Sequence, residues 1–114
     1  MNEPLVVVDG HHHLWDPTQA DYPWLTDDLA TIRRAFTTDD LDAAVAECDA
    51  TVSATVLVQT RSSEDETRLF LRTGGPVAGV VGWVDLTAAD VAERIGARSS
   101  AHEQVGWFLA QERG

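Results

Sequence analysis

Three stretches of the chain are apolar and rich in β-branched residues until each ends in polar ones. They are Leu5-Val6-Val7-Val8-Asp9, closed by Gly10; Ser53-Ala54-Thr55-Val56-Leu57-Val58-Gln59; and Val77-Ala78-Gly79-Val80-Val81-Gly82-Trp83-Val84-Asp85. Apolar runs without polar alternation predict strands buried on both faces. Helical spacing follows each run. Leu41, Ala44, Val45 and Cys48 recur behind Thr38 or Asp39 as N-cap, through about Asp49. Ser62 or Ser63 can cap a helix that opens with Glu64-Asp65-Glu66, carries Leu69, Phe70 and Leu71, and stops at Gly74-Gly75-Pro76. Thr87 can cap a third helix from Ala88 to about Ile95. Between Trp15 and Thr38 the apolar residues keep no period, and Pro17 and Pro23 interrupt them, which predicts a long ordered loop or a set of short turns. Three strand-helix alternations predict an α/β fold with a parallel sheet. A closed eight-stranded barrel needs about 250 residues, and this chain has 114.

Composition narrows the class of partner. Eight basic residues, all Arg, face 19 acidic ones, a formal net charge of −11. Nucleic acids and anionic membranes would repel such a chain, so neither is expected as a partner. Cys48 is the sole cysteine, which excludes an intramolecular disulfide and a four-cysteine zinc site and fits a reducing compartment. The first residues have no basic region and the apolar run after them is short, so the expectation is a soluble cytoplasmic protein.

Candidate chemistry lies where the first strand hands over to its loop, at Asp9-Gly10-His11-His12-His13. Residues two apart on an extended chain point the same way, so His11 and His13 project together at the strand's C-terminal mouth while His12 points away. Two imidazoles on one side are a pair of ligands suited to zinc or a similar divalent ion, which would polarise a carbonyl or acidify a bound water. Two ligands do not complete a site, and a neutral loop cluster is the competing account. Asp9 can equally serve structure, by accepting neighbouring backbone N–H groups. Trp15, Trp24 and Trp83 can line a pocket or plug a core. Glu66 has an ordinary role as an early-turn helix charge.

Val8-Asp9-Gly10-His11-His12-His13-Leu14-Trp15-Asp16-Pro17, followed by Tyr22-Pro23-Trp24-Leu25, resembles the amino-terminal signature of the amidohydrolase superfamily. Within it, the resemblance is to the amidohydrolase-related lactonases that act on sugar lactones and pyrone dicarboxylates. Thr55 to Gln59, Glu66-Thr67 and Val77 to Leu86 agree with that branch in order, so the resemblance covers about Leu5 to Ile95. It implies the first three βα units of a (β/α)₈ TIM barrel and a hydrolase that opens a lactone or related ester by activating water. It also implies metal ligands at His11 and His13, although the branch is uneven in its use of metal. Gln59 and Asp85 fall at the predicted mouths of the second and third strands, where a barrel places functional groups. Both are therefore candidate substrate-side residues.

The resemblance places further ligands and the general base on later strands, which leaves no catalytic residue assigned. The expected organisation is a partial, truncated barrel over residues 1–95 and a divergent tail over 96–114. A shifted reading frame near Ala97-Arg98-Ser99-Ser100-Ala101 is one explanation of the short length, and a naturally short gene with a helix through Val105, Phe108 and Leu109 is the other. His102 is not expected to be a ligand. Three strands from a barrel have two unpaired edges, so self-association is expected. The alternatives to an active hydrolase are an inactive fragment of one, or a small metal-binding or oligomerisation module.

Overall fold

The computed structural model describes residues 5–100. Strands β1 (Val6–His12), β2 (Thr51–Val58) and β3 (Val77–Val81) alternate with helices α1 (Thr38–Glu47), α2 (Glu64–Leu71) and α3 (Val91–Ser100). All strand pairs are parallel, in the order β1-β2-β3. This is the expected α/β arrangement. His102 and the helix expected over 104–111 lie outside the described residues, and α3 crosses the boundary expected at 95.

Register explains which run is buried. β2 is central and pairs on both sides, Asp9 opposite Thr55 and His12 opposite Leu57 on one flank, Val56 opposite Gly79 and Leu57 opposite Val80 on the other. Thr55, Val56 and Leu57 are accordingly buried in succession. The first run does not share that fate. β1 is an edge strand among the described residues, and Leu5, Val6 and Val8 are 70%, 64% and 60% exposed, which corrects the expectation of burial on both faces. An apolar run signals suitability for a sheet interior, whereas position in the sheet decides whether neighbours cover it.

The core lies between the sheet and α2, where Leu57, Val77 and Val80 meet Phe70 and Leu71, with Leu14 and Leu41 packed against them. α2 buries Glu66, Thr67, Phe70 and Leu71, which share one face at helical spacing, and leaves Leu69 outward. Its cap is Ser63, whose hydroxyl accepts the Glu66 N–H at 3.1 Å. The chain leaves the helix through Gly75, whose φ of +65° suits glycine. α1 starts one residue earlier than the sequence pattern indicates, with Thr37 as N-cap and its N–H donating to the Asp40 carboxylate at 2.9 Å. Leu41 and Val45 are its half-buried contacts, while Ala44 and Cys48 are exposed.

β3 ends at Val81, short of the expected Asp85, because the next backbone groups find other partners. The Trp83 N–H donates to the Thr67 hydroxyl at 2.9 Å instead of to a neighbouring strand. The third helix likewise begins at Val91, three residues later than the pattern indicates, after a turn in which Asp85 accepts from Thr87.

Candidate functional site

The strand does not stop at Gly10. β1 runs on through His11 and His12 with a bulge in its register, three residues from Asp9 to His12 facing two of β2, and the three imidazoles still divide as the spacing predicts. His12 turns to the half-buried side, its Nε2 2.9 Å from the Thr55 hydroxyl, and burial pushes its pKa below the ordinary imidazole value against the opposing pull of Asp9. His11 and His13 are exposed on the other side. Their rings meet edge to face with centroids 4.9 Å apart, and their Nε2 atoms stand 3.2 Å from each other.

Backbone contacts fix this pair. The Asp9 carboxylate accepts the His11 N–H at 3.0 Å, the structural role that the sequence allows it. His13 Nδ1 lies 2.9 Å from the Val58 carbonyl at the end of β2. A carbonyl oxygen can only accept, so Nδ1 carries the hydrogen and neutral His13 presents a lone pair at Nε2. With His13 Nε2 as acceptor, the His11 Nε2–H donates to it across 3.2 Å, and a cation in place of that proton would take both lone pairs. Nitrogens bound at 2.0–2.1 Å to a tetrahedral zinc stand roughly 3.3 Å apart, so this donor pair fits two positions of such an ion. Among the described residues, no third His, Cys, Asp or Glu joins the pair as a metal cluster.

A concavity of about 340 Å³ opens beside the pair, lined by His13, Trp15, Trp24, Gln59 and Thr60. Gln59 follows β2 directly, and its N–H donates to the Val81 carbonyl at 2.8 Å, which ties it to β3. The long loop supplies the aromatic wall. Trp15 and Phe36 exchange two backbone hydrogen bonds, at 3.1 and 2.7 Å, and the Trp15 indole N–H donates to the Ile32 carbonyl at 3.1 Å. Trp24 packs edge-on against Trp15, with centroids 5.4 Å apart, and Tyr22 packs edge-on against Trp24. A segment without periodicity is therefore held by its own aromatic side chains.

The candidate residues thus divide. His11, His13 and Gln59 come together at one mouth of the sheet, with Trp15 and Trp24. Asp85 is engaged locally, accepting the Thr87 hydroxyl at 2.5 Å and N–H at 2.9 Å, contacts that hold its carboxyl below the usual range. Neither Asp85 nor Trp83 lines the concavity. Glu66 exceeds its expected role, because it is 2% exposed and accepts from the loop after β2. The sequence signals for this are its place on the same helical face as Phe70 and its part in the Glu66-Thr67 match.

No family model matches the chain. An L-fucono-1,5-lactonase of Burkholderia multivorans is 34% identical over 91 residues, 77% of this chain and 30% of that protein. An L-fucono-1,5-lactonase of Burkholderia ambifaria is 36% identical over 86 residues, 73% of this chain and 29% of that protein. The chain therefore spans about a third of the length of these relatives. A crystal structure of an amidohydrolase from Burkholderia multivorans with bound HEPES superposes with a TM-score of 0.73 at 30% identity, covering 89% of this chain and 35% of that one. A crystal structure of an amidohydrolase from the same organism with bound zinc gives a TM-score of 0.69 at 31% identity, covering 94% and 35%. By sequence and by the order of its parallel strands, the chain is similar to part of the amidohydrolase-related lactonases of the amidohydrolase superfamily.

Proposed function

We propose that this chain provides the first-strand part of a hydrolase that opens a lactone ring, with His11 and His13 as the paired ligands or carbonyl-orienting groups. The observation that carries the proposal is the 3.2 Å approach of their Nε2 atoms beside a concavity that Gln59 shares. The lactonase relatives supply the substrate class, with L-fucono-1,5-lactone as the first compound to test. The zinc-bound neighbour supports a divalent ion.

A divalent ion, when bound, supplies Lewis acidity toward a carbonyl and makes water a nucleophile near neutral pH. His11 and His13 would hold it through Nε2, with His13 oriented by the Val58 carbonyl. Gln59 would hydrogen-bond the lactone ring from the second strand, and Trp15 and Trp24 would present apolar faces to it and restrict water. Hydrolysis joins the oxygen of water to the carbonyl carbon and breaks the ring C–O bond, and the released alkoxide takes a proton to give a hydroxy acid. Within this proposal residues 1–95 carry the barrel-like part and 96–114 a divergent tail, with α3 running across the boundary between them.

A second possibility is binding without turnover, as an inactive fragment or a metal-binding module. It is supported by the pair itself, which can offer an ion two nitrogens without supplying the complete, preorganised set of groups that catalysis needs. Proton release from L-fucono-1,5-lactone, measured with and without zinc, separates the two. Turnover lost in His11→Ala and His13→Ala supports the hydrolase. Stoichiometric zinc binding without turnover supports the module, and neither binding nor turnover contradicts the assignment of the pair.

A further inference from the structure

The Glu66 carboxylate is an unusual group to bury in the helix that backs the core. Its Oε1 accepts the Thr60 N–H at 2.8 Å and the Arg61 N–H at 3.1 Å, and its Oε2 accepts the Thr60 hydroxyl and lies 3.7 Å from the Arg61 Nε. The loop that leaves β2 has no strand partner for these N–H groups, and one carboxylate takes them both.

The consequence reaches the concavity through one peptide unit. The Arg61 N–H and the Thr60 C=O are the two ends of the same planar trans peptide, and so they point in opposite directions. Glu66 holds the N–H end. The Thr60 carbonyl is thereby turned outward, where it accepts the Trp24 indole N–H at 2.9 Å. Trp24 in turn packs against Trp15, and both line the space beside His13 and Gln59. The two preceding peptides are held too, since the Gln59 N–H donates to Val81 and the Thr60 N–H to Glu66.

We propose that Glu66 is a positioning residue for this pocket, setting the Trp24 wall and the departure of Gln59 through the Thr60–Arg61 peptide. The claim that the pocket receives a lactone rests on the proposed function, whereas the positioning role rests on the hydrogen bonds alone.

The test is hydrogen exchange of the Trp24 indole N–H, followed by NMR in the full chain with no substrate present. Glu66→Ala should accelerate that exchange by roughly tenfold, the value of one hydrogen bond of ordinary net strength, while the Val56 and Val80 amides keep their rates. Glu66→Gln, which retains an acceptor for the two N–H groups, should restore most of the protection. Unchanged Trp24 exchange in Glu66→Ala overturns the proposal, and so does equal acceleration at Val56 and Val80, which would mark a general structural role. If Glu66→Ala does not fold, Trp24→Phe decides from the other end of the peptide. Faster exchange at the Arg61 amide supports the coupling and an unchanged rate refutes it. A Trp24 response in a chain that opens no lactone leaves Glu66 assigned and removes only the substrate.

Discussion

His13 donates its Nδ1–H to the carbonyl of Val58 at 2.9 Å, joining the residue that follows β1 to the last residue of β2. The bond fixes the ring and leaves Nε2 for a ligand. Replacing His11 or His13 with alanine should therefore weaken zinc binding by at least about 100-fold, beyond the usual cost of losing a supporting contact. His12→Gln should change it by less than about threefold, within the spread expected of a group bonded to Thr55 and facing away. Isothermal titration of the three variants checks both statements.

The sheet interior should be most sensitive at Leu57, which is fully buried between Phe70, Leu71, Val77 and Val80. Leu57→Ala is expected to cost about 2–5 kcal/mol, from lost transfer energy and the cavity left behind. Urea unfolding checks it. Leu69→Ala on the exposed face of α2 should cost less than about 1 kcal/mol.

Acid should loosen the start of α1. The Thr37 N–H, with help from Arg34, holds the Asp40 carboxyl below its ordinary value of 3.8. A pKa lowered on folding contributes stability above the unfolded value, and that contribution disappears as pH falls through the folded one. Asp40→Asn should thus be less stable than the parent near neutral pH, and the gap in Tm should narrow as pH falls below the ordinary value of 3.8. Thermal melts across that range measure the gap.

Exposed β1 should make the chain self-associate despite its net charge of −11. Val6 and Val8 are uncharged and exposed on an edge strand, with exposed Leu5 just before it, a template for pairing with another chain. Val6→Lys should shift the sedimentation-average mass toward that of one chain. An unchanged mass distribution would mean that this edge is not the contact.

Much of this arrangement is visible in the residues themselves, because local chemistry decides it. Ser63 caps α2 as its side chain and the following acidic turn indicate, and the His-x-His spacing brings two rings to one side, where the Val58 carbonyl fixes the second. Features set by long-range partners are not visible in this way. Val6 and Val56 sit in similar apolar runs, yet one lies at an edge and the other in the centre. The end of β3 depends on Thr67, 16 residues away, accepting from Trp83. Glu66 looks like any early-turn acid until the loop after β2 folds back onto it. The aromatic loop is similar, since Trp15 and Trp24 lack periodicity and find each other only in space.

The most direct test of the paired imidazoles is their nitrogen chemical shifts in the full chain, before and after one equivalent of zinc. The account predicts neutral His13 in the Nδ1–H form at the start, and then a joint change at Nε2 of His11 and His13 with His12 unmoved. An Nε2–H form of His13, or a zinc response that involves His12 or only one of the pair, would contradict it.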